Sequence, residues 1–88
     1  MGNGRPSKFM KIKLFATLRD AAKQSHIEIE VAEPVTTSAL KLMIVNQHPE
    51  LLESMEIAVF AVNKMFADGD TLVQPTDVVA LFPPVSGG

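Results

Sequence analysis

Two short segments constrain the fold more than anything else in the chain. "MKIKLFA" at 10–16 alternates Met10, Ile12, Leu14 and Ala16 with Lys11 and Lys13, and "IEIEV" at 27–31 alternates Ile27, Ile29 and Val31 with Glu28 and Glu30. Successive side chains of a strand point to opposite faces, so each segment predicts a strand with one apolar face and one wet face. Lys on one and Glu on the other favour antiparallel pairing, by about a few tenths of a kcal/mol per pair. The link "TLRDAAKQ" at 17–24 is too long for a tight hairpin, and it spaces Leu18, Ala21 and Ala22 as a helical turn would.

Further along, "TTSALKLMIVNQHPE" at 36–50 opens on three possible N-cap hydroxyls and sets Leu40, Met43, Ile44 and Gln47 along one face of a helix. This main helix should end by His48, since Pro49 drives its predecessor out of the α region, and "PELLES" at 49–54 adds one more turn. "IAVFAV" at 57–62 is an unbroken apolar run, which predicts a strand buried on both faces. "NKMFADGD" at 63–70 predicts a turn, a short strand at 65–67 and a second turn at Asp68-Gly69. "VVALF" at 78–82 follows a stretch punctuated by Pro75 and is the last strand.

The expected fold class is therefore α+β, a mixed sheet of about five strands with one main helix packed on one face. The right-handed crossover rule and the apolar character of 78–81 place the last strand in the sheet centre, parallel to the first. At 88 residues there is room for one core and no second domain. Three regions are expected: a flexible N-terminal arm at 1–9, a folded domain at 10–82 and an extended tail at 83–88.

Composition excludes several classes of function. A net charge of −2 with scattered Lys and Arg argues against a nucleic-acid footprint. No apolar run approaches the ~18 residues of a spanning helix, and Pro6 stands where a myristoylation motif needs Ser or Thr, so no membrane attachment is expected. The chain has no cysteine, hence no disulfide, no thiolate nucleophile and no thiolate metal site; a cytosolic address is the default.

Side-chain chemistry is sparse. His26 and His48 are isolated near a strand start and a helix end, and no nucleophile-elbow pattern surrounds a serine. "DGD" at 68–70 lacks the further oxygens and distal Glu of a calcium loop, which leaves a turn; no metal site is expected. Glu28, Glu30 and Glu33, and Lys8, Lys11 and Lys13, form charged strips of the kind that solvated faces carry. Met43, Met55, Met65, Phe60 and Phe66 fit a core or a partner-facing surface.

The tail "LFPPVSGG" at 81–88 is different, because its features reinforce one another. Pro83 and Pro84 fix φ and favour an extended stem. Val85 offers one apolar anchor, Ser86 is small, and Gly87 and Gly88 carry no Cβ, so another protein's backbone can close around them. Six extended residues reach at most about 20 Å. Ordering them costs on the order of 6–12 kcal/mol in backbone entropy, which the prolines reduce. Burying Phe82 and Val85 returns about 1.5–3 kcal/mol each, so a stable complex also needs a patch on the sheet. A terminal carboxylate is a poor electrophile until activated, for example as an acyl-adenylate made from ATP by another enzyme.

With these residues in view, the sequence resembles the ubiquitin-like β-grasp sulfur carriers of the ThiS/MoaD family, most closely the small-subunit type of molybdopterin synthase. The resemblance rests on "FATLRD" at 15–20, "NQHPEL" at 46–51, "FAVN" at 60–63, "DGD" at 68–70 and above all "DVVALFPPVSGG" at 77–88, and it covers 10–88. It implies that an E1-like adenylyltransferase consumes ATP to adenylate Gly88, that a sulfurtransferase converts it to a thiocarboxylate, and that the tail enters a large synthase subunit. Sulfur would pass there to cyclic pyranopterin monophosphate, with catalytic side chains supplied by the large subunit and no cofactor held permanently by this chain. It further implies a heterotetramer of two small and two large subunits. Phe15, Phe82, Pro83, Pro84, Val85, Ser86 and Gly87 would contact the partner. Sulfur carriage in thiamine or tRNA thiolation, or a ubiquitin-like protein modifier, would use the same tail.

Overall fold

The structure is a computed structural model, and it describes residues 9–84. Its strands are β1 (Phe9–Leu14), β2 (His26–Glu30), β3 (Val35–Thr36), β4 (Val59–Val62), β5 (Met65–Ala67), β6 (Leu72–Val73) and β7 (Val79–Phe82). The helices are α1 (Thr17–Ala22), α2 (Thr37–Gln47) and α3 (Leu52–Glu56), the last entered through a 3-10 turn, Pro49–Leu51. Five strands form one sheet in the order β2-β1-β7-β4-β5, and β3 and β6 form a separate two-stranded ribbon.

The period-two alternation of the first two segments sets the register. β1 and β2 are antiparallel, with Ile12 opposite Ile27 and Lys11 opposite Glu28, as the charge pattern requires. β7 lies parallel to β1, with Leu14 beside Leu81, and antiparallel to β4, with Phe60 beside Leu81. The last strand is thus central and parallel to the first. Met10, Ile12, Leu14, Ile27, Ile29, Val79, Leu81, Phe60 and Val62 are all buried and face the helices, where Leu40, Ile44, Leu51 and Met55 close the core.

Helix α2 begins where its hydroxyls indicate. The Thr36 side chain caps it by accepting from the Ala39 N–H at 3.2 Å. Buried Thr37 is satisfied by donating its hydroxyl to the Asp68 carbonyl. At the other end the His48 N–H closes the helix on the Ile44 carbonyl at 2.7 Å, and Pro49 opens the next turn. The DGD segment is a side-chain-closed turn: the Asp68 carboxylate accepts from the Asp70 N–H and the Thr71 hydroxyl.

Several boundaries differ from those the sequence suggests. Phe9, placed with the arm, is the first residue of β1 and pairs with Glu30; its side chain lies on the exposed face, so the apolar alternation does not mark it. Ala16 falls outside β1, in a tight turn. Ile57 precedes β4 and is 62% exposed, although it reads as part of an apolar run. The β3–β6 ribbon is unmarked in the sequence, because two-residue strands are too short to show a period. Residues 1–8 and Val85, Ser86, Gly87 and Gly88 lie outside the described residues.

Thr36→Ala removes the side-chain cap of α2; Thr36 also ends β3, but it lies outside the five-stranded sheet and the substitution keeps the backbone pairing with Leu72. It should lower unfolding free energy by about 1 kcal/mol and the melting temperature by roughly 4–8 °C, measurable by thermal denaturation.

Candidate functional site at the base of the tail

The parallel register of β1 and β7 creates the site. Leu14 and Leu81 are neighbours on the core side, so the next residues, Phe15 and Phe82, meet on the open side of the sheet. Their rings stack with centroids 4.7 Å apart and planes 2° from parallel. Such a pair contributes about 0.5–1.5 kcal/mol beyond the area it buries. The Phe15 N–H donates to the Leu81 carbonyl at 3.2 Å, which extends the ladder one residue past the strand.

Immediately after Phe15 the chain reverses. The Leu18 N–H reaches the Phe15 carbonyl at 3.1 Å, and Ala16 takes φ 53° and ψ −124°. These are the angles of the first central residue in a II′ turn, a position that favours glycine. An L-residue there carries strain of about 1–3 kcal/mol. The stack with Phe82 and the start of α1, whose Leu18 is fully buried, hold the turn from both sides.

Phe15, Ala16, Val59, Phe66, Phe82, Pro83 and Pro84 line an open cavity of about 540 Å³ with no charged side chain among them. Pro83 is half-buried and Pro84 exposed, and both lie in the wall of this cavity. The apolar surface continues down the open face of the sheet. Val59 pairs with Phe82, Ala61 with Ala80 and Ala61 with Phe66, which gives a shallow floor of two alanines flanked by aromatic rings. Phe66 is 77% exposed, a large apolar side chain left in water.

Of the tail-site residues expected from sequence, Phe15, Phe82, Pro83 and Pro84 come together here, while Val85, Ser86, Gly87 and Gly88 lie outside the described residues. Val59 and Ala16 carry no mark of a site in the sequence. The unbroken run at 57–62 hides which of its members face outward, and nothing in the residue order signals an alanine in a glycine conformation. Phe66 was legible as core or partner-facing surface, and it is surface. The two histidines are not brought to this site's lining: His26 opens β2 opposite Lys13, and His48 caps α2 with Nδ1 3.4 Å from Glu50 Oε2. No helix of the described residues is long and apolar enough to cross a membrane.

The architecture and the tail-bearing central strand define a ubiquitin-like β-grasp domain. Residues 12–88 match the ThiS family model, and the chain belongs to the ThiS family. It is 33% identical over 82 residues to the molybdopterin synthase sulfur carrier subunit of Chlamydomonas reinhardtii, covering 90% of this chain and 98% of that one. Among solved structures, the Pyrococcus furiosus protein assigned as subunit 1 of a molybdopterin converting factor superposes with a TM-score of 0.76 at 30% identity, covering 90% of this chain and 100% of that one. Small archaeal modifier protein 1 of Haloferax volcanii superposes with a TM-score of 0.75 at 28% identity, covering 91% and 99%.

Ala16→Gly relieves the strain of the II′ turn at a cost of about 0.5–1 kcal/mol in unfolded-state entropy. The variant should unfold at a higher temperature than the parent, by roughly 4–8 °C for each kcal/mol gained. A lower melting temperature would contradict the turn assignment.

Proposed function

We propose that this chain is the sulfur-carrier subunit for molybdopterin synthesis, and that its chemistry is carried by the carbonyl carbon of Gly88. The supporting observation is a Phe15–Phe82 stack that anchors the Pro83-Pro84 stem on the central strand of a ThiS-family domain. The 33%-identical relative, matched over nearly its whole length, is named as the sulfur carrier subunit of molybdopterin synthase.

In this reading an activating enzyme adenylates the Gly88 carboxylate at the expense of ATP, releasing pyrophosphate. A sulfur nucleophile supplied by a sulfurtransferase then displaces AMP and leaves a thiocarboxylate. The domain contributes no acid, base or metal to these steps. It fixes where the tail starts, presents Val85 and Ser86 to a channel, and offers Gly87 and Gly88 without Cβ atoms that would block a reagent. The large synthase subunit closes over the apolar cavity of Phe15, Val59, Phe66 and Phe82 and supplies the catalytic side chains. Two small and two large subunits form the working assembly. ATP is used by the activating enzyme and is not held by this chain.

A second reading, a protein modifier joined through Gly88 to lysines, has weaker support, from the likeness to the Haloferax volcanii modifier alone. The two part at the acceptor: a sulfur carrier returns to the carboxylate after transfer, whereas a modifier stays attached through an isopeptide bond.

Incubation with ATP, the cognate activating enzyme and a sulfur donor should change the intact mass by the exchange of one oxygen for sulfur. Unchanged mass, with a control carrier converted in parallel, would contradict the proposal. A residue appended after Gly88 should abolish dithiolene formation while leaving the melting temperature unaltered. Phe82→Ala should weaken binding to the large subunit by about 2 kcal/mol, roughly 30-fold in Kd, by isothermal titration.

A further inference from the structure

We infer that a cationic cleft beside the tail site, centred on Lys13 and Arg19, receives an acidic segment of the large synthase subunit and sets the rate and register of docking. The inference rests on the sulfur-carrier reading and adds to it a surface outside the apolar cavity.

The cleft has a volume of about 370 Å³ and is lined by Lys11, Lys13, Leu14, Phe15, Arg19, Ser25 and His26, with no carboxylate among the lining residues. Its cations come from two elements that the fold brings together. Lys11 and Lys13 stand on the open face of β1, and Arg19 projects from α1, just after the II′ turn. Phe15 lines this cleft and the apolar cavity alike, so a protein seated over Phe82 and Pro83 reaches the cleft across a single side chain.

The chain's own carboxylates leave part of this charge uncompensated. Glu28 stands directly opposite Lys11, and Asp77 shares a neighbouring hollow with Lys11 and Lys13. Among the described residues, however, neither Lys13 nor Arg19 makes an ion pair; the pair that forms is His48 with Glu50. The chain carries a net charge of −2, so this is a local positive field on an acidic protein.

The sheet register then gives the surface a direction. His26, Lys13, Ala80, Ala61 and Phe66 occupy one row across β2, β1, β7, β4 and β5. Neighbouring strands lie about 4.8 Å apart, so Lys13 and Phe66 are about 14 Å apart across an alanine floor. A partner element with an apolar stripe over the alanines and an acidic flank toward β1 fits one way round and not the reverse. Exposed charges of this kind act mainly on the association rate, through steering, and on specificity.

The test is stopped-flow association of the full chain with the purified large subunit over a range of NaCl. For the wild type the association rate constant should fall about tenfold between low and high salt. The Lys13→Glu, Arg19→Glu double variant should associate about tenfold more slowly at low salt, lose most of the salt dependence and keep its dissociation rate within about twofold. Lys64→Glu, on the β4–β5 turn at the opposite end of the sheet, should leave all three unchanged. Equal melting temperatures of the variants would establish that the fold is intact.

An unaltered rate and salt slope in the double variant, with Phe82→Ala still weakening the complex, would overturn the cationic-cleft inference and leave the carrier reading standing. Failure of the wild type to bind the large subunit would overturn both. Saturable chemical-shift changes at Lys13 and Arg19 on titration with ATP alone, without the partner, would assign the cleft to a small anion and likewise overturn the inference.

Discussion

The position of β7 between β1 and β4 is the constraint on which the rest of the molecule depends. Its backbone is hydrogen-bonded along both edges, parallel on one side and antiparallel on the other. A strand so placed cannot shift by one residue without turning Val79 and Leu81 out of the core and Ala80 and Phe82 into it. Leu81 is fully buried, so the register is held by the same burial that stabilises the domain. The Pro83-Pro84 stem therefore starts from a fixed point on the sheet, which is what the proposed carrier role asks of the domain.

The two faces of the sheet divide the work. The face toward α2 and α3 is apolar and buried, with Phe60 among its aliphatic side chains. The open face is split by strand, charged over β1 and β2 and apolar over β7, β4 and β5, with small residues in the middle. Ala61 and Ala80 are small, which keeps that face flat between Lys13 and Phe66. In the proposed carrier reading, a domain without cysteine and with isolated histidines serves a chemical step by presenting a carbonyl group, while acids, bases and sulfur donors belong to other proteins. Strain at Ala16 fits this division, since it sits in the turn that lays Phe15 against Phe82 rather than in the core.

Much of this was legible in the residues. Alternation in 10–14 and 27–30, with Lys against Glu, identified β1 and β2 and their antiparallel pairing. The hydroxyls before Ala39 and the proline after His48 bounded α2 within a residue. The apolar last strand led to its central, parallel place. Other features were hidden for physical reasons. In the run at 57–62, Phe60 and Val62 face the helices while Val59 faces the tail, and an all-apolar sequence carries no period to separate them. The turn at 15–18 is set by tertiary contacts, with a residue that local preference would not select. The cationic cleft joins β1 to α1, and its members separate into a strip and a lone arginine until the fold is known.

In the proposed reaction sulfur travels on the Gly88 carbonyl and leaves it for a small-molecule acceptor. The most direct measurement follows the atom itself. The chain is loaded with heavy-isotope sulfur at Gly88 and mixed with the large subunit and cyclic pyranopterin monophosphate, and product and protein are weighed after a single turnover. Labelled sulfur should appear in the dithiolene and Gly88 should return to its carboxylate mass. Label retained on the chain, or a chain joined to protein lysines with an unlabelled product, would contradict it.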